Sequence, residues 1–348
     1  MNLRPDLEEL IFDAAVPFEE RALQVFRYQA RECHPYRKFI DALRVDIDSV
    51  EKIEDIPHLP ISVFKEVEVC TIPIAEVPLR FRSSATGGVR SSHWIASPDL
   101  YRRSIVEGFR YAYGDGPFQI WSYTPDYSDN PDSSLIWMID TLMNSEFCDH
   151  AYRHPLGKPL NIDSTLKLST STAPIIFIGA AFGLLDLIDL GINGTFPPSS
   201  ILMETGGMKT HRRECSRSEL HRELSEGFKL PIDQIHSEYG MAEMLTQAYG
   251  KGLKVEELKV EELKAEELKG FGFRFPHWAQ LSHRSPITDP RSLIPDHRSM
   301  ITDLANLYSC SFLVSGDRYK VFSNGSFEVL GRVDQTDYRG CNFLMERD

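Results

Sequence analysis

The sequence predicts an α/β fold on three observations. The first 60 residues space their apolar and charged side chains as helices do. Beyond residue 65 short apolar runs alternate with helical ones, and near the end an Asn-Gly pair separates two β-prone runs. With 348 residues, 42% hydrophobic and 26% charged, the chain suits one large domain or two moderate ones and is neither disordered nor fibrous in the main. A chain of this size buries roughly three quarters of the surface its unfolded form exposes, so its core requires no disulfide or metal staple.

Each element has its own local reason. Asp6-Leu-Glu-Glu-Leu, Phe18 to Cys33 and Tyr36 to Leu43 read as helices, the second with Leu23, Phe26 and Tyr28 set among charges. The proline-bounded His58-Leu-Pro-Ile-Ser-Val-Phe-Lys65 ends that region. Ile175 to Ile178 is a short buried strand that turns into a helix within Pro174 to Ile192; Asp186, Asp189 and the glycines there argue against a membrane span. Ser216-Arg-Ser-Glu219 is a capping box opening a helix that Gly227 is expected to close. Asn324-Gly325, between Tyr319-Lys-Val-Phe and Phe-Glu-Val-Leu330, marks a hairpin.

Charge and cysteine usage exclude several functions. Lys and Arg number 38 against 51 Asp and Glu, a formal net of -13, which opposes nucleic acid and anionic membrane as partners. Six cysteines occur without a CxxC pair, and no basic-then-apolar leader opens the sequence, so a reduced, cytoplasmic setting is expected.

Lys254-Val-Glu-Glu-Leu, Lys259-Val-Glu-Glu-Leu and Lys264-Ala-Glu-Glu-Leu repeat one five-residue unit three times. Five residues advance a helix by about 140° beyond a full turn, so Leu258, Leu263 and Leu268 do not form one stripe. The segment 251–270 reads as a solvated, charged insertion on a surface loop, away from any site.

Five segments carry chemistry. Ser83-Ser84-Ala-Thr86-Gly87-Gly88-Val-Arg90-Ser-Ser92 concentrates hydroxyls, glycines and a guanidinium, and such a loop can turn N–H and O–H groups toward a polyphosphate. Alone it is an ordinary polar loop. It is followed in order by Met203-Glu-Thr-Gly206-Gly207-Met-Lys209, His236-Ser-Glu-Tyr239-Gly240-Met-Ala-Glu243, Ser315-Gly-Asp317 and Gly331-Arg332-Val-Asp334. This order resembles the adenylate-forming superfamily of acyl-CoA synthetases, luciferases and adenylation domains. The resemblance implies that Ser83, Ser84, Thr86, Gly87 and Gly88 hold ATP phosphates. It assigns Gly206, Gly207, His236, Tyr239 and Gly240 to the nucleotide, Glu243 to catalysis and Mg²⁺, Asp317 to the ribose, and Arg332 to the hinge, facing ribose and phosphate. The residue types suit the task, because a carboxylate attacking the α-phosphate of ATP meets anionic repulsion that positioning and counter-charge must overcome.

A narrower resemblance spans almost the whole chain. Val25-Phe-Arg-Tyr-Gln29, His58 to Lys65, Ser133-Ser-Leu-Ile-Trp-Met138, Met203 to Lys209, Ser237-Glu-Tyr-Gly-Met241, Thr302-Asp-Leu-Ala-Asn306 and Arg339-Gly-Cys341 are similar to segments of the acyl-protein synthetase (LuxE-like) family. The resemblance implies ATP-dependent activation of a long-chain fatty acid as acyl-AMP, transfer of the acyl group to Cys341, and delivery to a reductase subunit. The fold implied is the large domain of adenylate-forming enzymes, with stacked β-sheets flanked by helices, a helical N-terminal region, and no mobile C-terminal domain. Residues 1–75 would be the helical part of one body, 76–330 the adenylation core, and 331–348 a hinge remnant with the cysteine-bearing tail. The acid's tunnel would draw on Trp121 to Tyr127 and Gly179 to Leu185.

Two departures stand out. The phosphate loop has Ala85 and Gly87 where Gly and Thr are expected, so a methyl is gained and a hydroxyl lost. No lysine of a mobile domain is in view either, and Lys209 is the substitute catalytic candidate. Two other functions stay open at this point: an adenylating ligase that passes the acyl group to CoA, a carrier thiol or an amine, and a non-catalytic subunit of a reductase complex.

Overall fold

The computed structural model describes residues 3–83, 89–206, 216–252, 271–282 and 300–332. Phe18–Glu32 is a helix because Ala22, Val25, Phe26, Gln29 and Ala30 fall on one stripe, all of them buried, with Glu19 and Glu20 in its first turn. Phe26 lies on that stripe, whereas Leu23 and Tyr28 are only partly buried. Pro5–Leu10 and His34–Ala42 flank it, within a residue or two of the boundaries expected.

The opening helix docks on the far end of the chain. Gln29, with no exposed surface, donates from Nε2 to the carbonyls of Asn306 and Leu307, 2.9 Å each, and accepts from the Ser311 N–H at 2.9 Å. Tyr36 stacks on Phe312 at 6.3 Å. A four-stranded sheet lies here, in the order Leu59–Pro60, Phe312–Val314, Met300–Asp303, Ala279–Ser282. One core cluster runs from Leu7 and Phe26 to Ile301 and Phe312, so the N-terminal helices share the interior of the main body.

The larger sheet has nine strands among the described residues. Across it the order is Asp317–Val321, Phe327–Arg332, Phe271–Arg274, Ala248–Gly252, Ile235–Tyr239, Ile201–Glu204, Ile175–Gly179, Phe118–Tyr123 and Cys148–Arg153. From Ile235–Tyr239 to Cys148–Arg153 the neighbours are parallel; on the other side of Ile235–Tyr239 they are antiparallel. Every residue of Ile175–Gly179 is buried, and its faces serve two cores. Ile175 and Phe177 pack with Leu184, Leu187, Leu220, Leu224 and Phe228, while Ile176 and Ile178 share a core with Ile105, Phe109, Met138 and Ile139. A parallel strand covered by helices on both sides is therefore apolar throughout, as its sequence is.

The Pro174 to Ile192 stretch is the expected strand followed by a helix, Ala181–Leu190. The Ser216 capping box is formed in both directions, with Glu219 N at 3.2 Å from Ser216 Oγ and Ser216 N at 2.8 Å from Glu219 Oε2. Its helix, Arg217–Phe228, is closed not by Gly227 but by Lys229, which takes the left-handed conformation at φ 55°. Gly227 lies inside the helix for a packing reason, since a Cβ there would stand 2.3 Å from Ile188 Cδ1. The Asn324-Gly325 hairpin joins Asp317–Val321 to Phe327–Arg332, with Gly325 at φ +79°. The bonds Gly325 N to Phe322 O and Phe322 N to Ser326 O make it a three-residue loop with the glycine in the left-handed position. The second strand continues two residues past Leu330, to Arg332.

Candidate active site

In an open sheet with parallel strands, the carboxyl ends of those strands leave a crevice that turns and helix starts can line. Tyr123, Gly179, Glu204 and Tyr239 each end a parallel strand on this edge. Gly206, at φ +63°, follows Glu204, and Gly240 follows Tyr239. The Tyr239-Gly240 segment then leads to Glu243, which is 7% exposed.

Glu243 meets the Ser/Gly loop here. The Ser91 hydroxyl donates to Glu243 Oε1 at 2.6 Å. The base of that loop is closed by Ser83 N to Ser91 O at 3.0 Å, Ser91 N to Ser83 Oγ at 2.9 Å and Arg90 Nε to Ser83 O at 2.6 Å. The flanking strands Leu79–Arg82 and Ser92–Ile95 pair antiparallel and hold the two ends together. Asp132 lies beside three guanidiniums, those of Arg80 and Arg82 at 3.8 Å and Arg90 at 3.5 Å, and its carbonyl accepts from Arg82 N at 2.9 Å.

A second set of bonds fixes the Glu243 segment from below. Asn306 Nδ2 donates to the Glu243 carbonyl at 2.8 Å. The fully buried Asp303 accepts from Leu245 N at 2.9 Å, from Thr246 N at 3.1 Å and from the Thr246 hydroxyl at 2.6 Å. Burial pushes the Asp303 carboxyl up, and these hydrogen bonds limit the rise. The Thr302-Asp-Leu-Ala-Asn306 motif thus clamps the Glu243 turn, a role its sequence did not disclose.

On the next strands Tyr239 donates its hydroxyl to Asp317 Oδ2 at 2.8 Å and also contacts the Tyr319 hydroxyl. Asp317 N bonds Ser315 Oγ at 2.9 Å, which in turn lies 2.9 Å from the Tyr319 hydroxyl. Asp317 and Arg332 are Cα partners across the hairpin, which places these two candidates side by side in register.

His236 is brought elsewhere. It lies three positions before Tyr239 on the same strand, an odd offset, so the pleat turns the two side chains to opposite faces. Its ring stacks on Tyr113 at 5.7 Å, with Nδ1 3.1 Å from the Tyr113 hydroxyl and Nε2 3.1 Å from the Asp233 carbonyl. Burial lowers its pKa to about 4, so it is neutral with both ring nitrogens engaged by the protein. The structure thus sets the His236 ring on the other face of the strand from Tyr239, the neighbour with which the sequence grouped it.

Two buried carboxylates flank Tyr239-Gly240 and were missed. Glu204 accepts from Gly206 N at 2.6 Å through Oε2 and from the Ser237 hydroxyl through Oε1. Burial works to raise its pKa, but the His221 hydrogen bond, the Arg217 charge and the Ser237 hydroxyl hold it below the usual value. Glu238 is pushed up to about 8 by burial and by the Glu204 charge, so at neutral pH the pair carries one charge. A Cβ on Gly240 would stand 2.8 Å from Glu238 Oε1, which accounts for glycine there. Of the expected tunnel segments, Trp121, Tyr123, Ala181, Leu184 and Leu185 pack together in one core cluster.

Ser84, Thr86, Gly87, Gly88, Gly207, Lys209 and Cys341, with Ala85 and the pentapeptide repeat, lie outside the described residues, and of Arg332 only the strand position is described. The four described cysteines, Cys33, Cys70, Cys148 and Cys310, are free thiols. Burial raises the pKa of each, that of Cys33 to about 12. Among the described residues no group of three or more His, Cys, Asp and Glu is arranged to hold a metal, and no helix is long and apolar enough to cross a membrane.

The profile of the family described as acyl-protein synthetase, LuxE, matches residues 9–259, more than half of the chain. The chain belongs to this acyl-protein synthetase family. A long-chain-fatty-acid–luciferin-component ligase of Photorhabdus luminescens is 39% identical over 69 residues, 20% of this chain and 59% of that relative. The shared stretch thus spans under two thirds of the relative's length. Among solved structures, a 2-hydroxyisobutyryl-CoA ligase in complex with 2-HIB-AMP and CoA has a TM-score of 0.60 at 14% identity, covering 96% of this chain and 70% of the ligase. At that identity the likeness speaks for the fold, the large domain of adenylate-forming enzymes. The family match ends before Asp317, Arg332 and Cys341.

Proposed function

We propose that this acyl-protein synthetase family member activates a long-chain fatty acid, or a related carboxylic acid, with ATP and passes the acyl group to Cys341. The observation that carries the reading is the 2.6 Å hydrogen bond from Ser91 to Glu243, which joins the Ser/Gly loop to the carboxylate at the carboxyl edge of the sheet. A loop of N–H and hydroxyl groups beside one carboxylate suits a magnesium nucleotide, because Mg²⁺ takes one or two protein carboxylates and completes its shell with phosphate oxygens and water. Glu243 would hold the ion, which neutralises phosphate charge when bound.

In the first step a substrate carboxylate oxygen attacks the α-phosphorus of ATP, and the bond to pyrophosphate breaks. Thr86 and the loop N–H groups would hold the β and γ oxygens, Tyr239 the adenine, Asp317 the ribose hydroxyls, and Arg332 the ribose and phosphate. Lys209 is the candidate cation at the α-phosphate. In the second step the Cys341 thiolate attacks the acyl carbon and AMP leaves, giving a thioester still reactive toward a reductase partner. The raised pKa of the four described thiols supports an acceptor elsewhere in the chain. Their free state also fits a cytoplasmic setting. We read residues 76–330 as the adenylating core and 331–348 as the tail that carries the acyl group.

The test is incubation with labelled fatty acid, ATP and Mg²⁺, followed for acyl-AMP and for hydroxylamine-sensitive label on the protein. Cys341→Ser is expected to abolish the protein label and retain acyl-AMP, and Glu243→Gln to lower acyl-AMP formation by about a hundredfold or more. Acyl-AMP without protein label in the unaltered chain would move the acceptor to CoA, a carrier thiol or an amine. No acyl-AMP with any acid of a graded series would overturn catalysis and leave a non-catalytic subunit.

A further inference from the structure

The adenylation reading gives Glu204 no part, yet this carboxylate is only 2% exposed at the carboxyl end of its strand. Burying a charged carboxylate is costly unless donors surround it. Three donors do. Gly206 N lies 2.6 Å from Oε2; Ser237 gives its hydroxyl to Oε1; and His221 Nε2 lies 3.1 Å from Ser237 Oγ and 3.5 Å from Oε1. They come from three places in the fold: the turn leading out of Ile201–Glu204, the strand that ends in Tyr239, and the helix Arg217–Phe228. All of these side chains are buried.

We propose that Glu204 is a positioning residue that fixes the Gly206 turn against the Tyr239–Glu243 segment, with one oxygen on Gly206 N–H and the other on the Ser237–His221 chain. The proposal rests on the adenylation reading, in which those two segments hold the nucleotide. The proton order follows from donor counting. Ser237 has one proton and gives it to Glu204, so its oxygen accepts from His221, which must carry a proton on Nε2. A glutamine in place of Glu204 would present an N–H to Ser237. Ser237 would then donate to His221, and the His221 proton would move to Nδ1.

The test uses the full chain with Glu204→Gln, Glu204→Ala and Ser237→Ala. Loss of hydrogen bonds to a buried charge is expected to raise KM for ATP about tenfold in Glu204→Ala, and several-fold in Ser237→Ala, with kcat within about threefold. Glu204→Gln is expected to fall between wild type and Glu204→Ala, and its His221 Nε2 nitrogen resonance to shift from the protonated to the unprotonated position. Variants that melt earlier but keep wild-type KM for ATP would overturn the proposal, as would an unprotonated His221 Nε2 in the wild type. If Glu204→Ala does not fold, Ser237→Ala and Glu204→Gln decide by the same readings. If the wild type forms no acyl-AMP, the adenylation reading fails, and the His221 resonance together with direct ATP titration still decides the Glu204 chain.

Discussion

The Tyr239 hydroxyl and Asp317 Oδ2 lie 2.8 Å apart, although 78 residues separate them in the chain. Each comes from a different motif, and the bond commits one carboxylate oxygen of Asp317 to the protein. Asp317→Asn is expected to raise KM for ATP by about tenfold, because a charge-assisted pair becomes a neutral one. Tyr239→Phe keeps the ring and removes only this bond, so KM should move less than about threefold while stability falls by about 1 kcal/mol. Pyrophosphate exchange and urea denaturation check the pair; a larger KM effect from Tyr239→Phe would reverse the assignment.

The described thiols should be chemically silent. Cys33 and Cys310 have no exposed surface, and burial raises both pKa values. Thiolate is the reactive form. Iodoacetamide at pH 7.5 should leave both unmodified over a time in which the urea-unfolded chain reacts fully, as peptide mass spectrometry would record. Hydroxylamine-sensitive acyl label on either would contradict the choice of Cys341.

Stability should peak near pH 6.5. His93 and His236 are both lowered from 6.5 to about 4 by burial. Protons then favour the unfolded chain as pH falls from 6.5 toward 4, and each group withdraws on the order of 3 kcal/mol across that window. Glu238 runs the other way. Its pKa rises from 4.5 to about 8, so the stability it contributes at low pH is lost as pH climbs through that range. Above pH 6.5 only the Glu238 effect continues among these three. Glu238→Gln should flatten the decline of Tm between pH 6.5 and 8 and steepen the acid limb between pH 4.5 and 6.5, where Glu238 opposes the two histidines; an unaltered alkaline limb would remove Glu238 from the account.

The pentapeptide repeat should be dispensable. Gly252 and Phe271, on either side of it, are Cα partners at the end of an antiparallel pair. The register Ser237 to Gly250 puts that end beside the start of the Ile235–Tyr239 strand, opposite the edge where Gly206 and Tyr239 lie. Replacing residues 253–270 by an Asn-Gly turn should close an ordinary hairpin. Exchange rates within about twofold of wild type would bear this out; their loss in a folded variant would give the repeat a part in the chemistry.

What could be read in advance was local. Ile175 to Ile178, the Ser216 capping box and the Asn324-Gly325 turn announce themselves because their determinants lie within a few residues of one another. The clamp of Asp303 and Asn306 on the Glu243 turn could not be read that way, since it joins segments 57 to 63 residues apart. The same holds for the Glu204 chain, whose members come from two strands and a helix. His236 is different in kind: strand parity alone separates it from Tyr239, and a motif taken as a unit hides that alternation. Gly227 shows the opposite error, a residue with a terminator's chemistry that is needed for the close approach of two helices.

Gln29 has a consequence for how the chain is made. Its partners at Asn306, Leu307 and Ser311 are synthesised 277 to 282 residues after it. On a ribosome adding about 5–20 residues per second, the opening helix would wait roughly 14 to 56 seconds with its buried stripe uncovered. Such late closure is the mark of high contact order, which slows folding and lengthens exposure to aggregation. Yield in a heterologous host should therefore depend on chaperone supply and growth temperature more than on the site's chemistry.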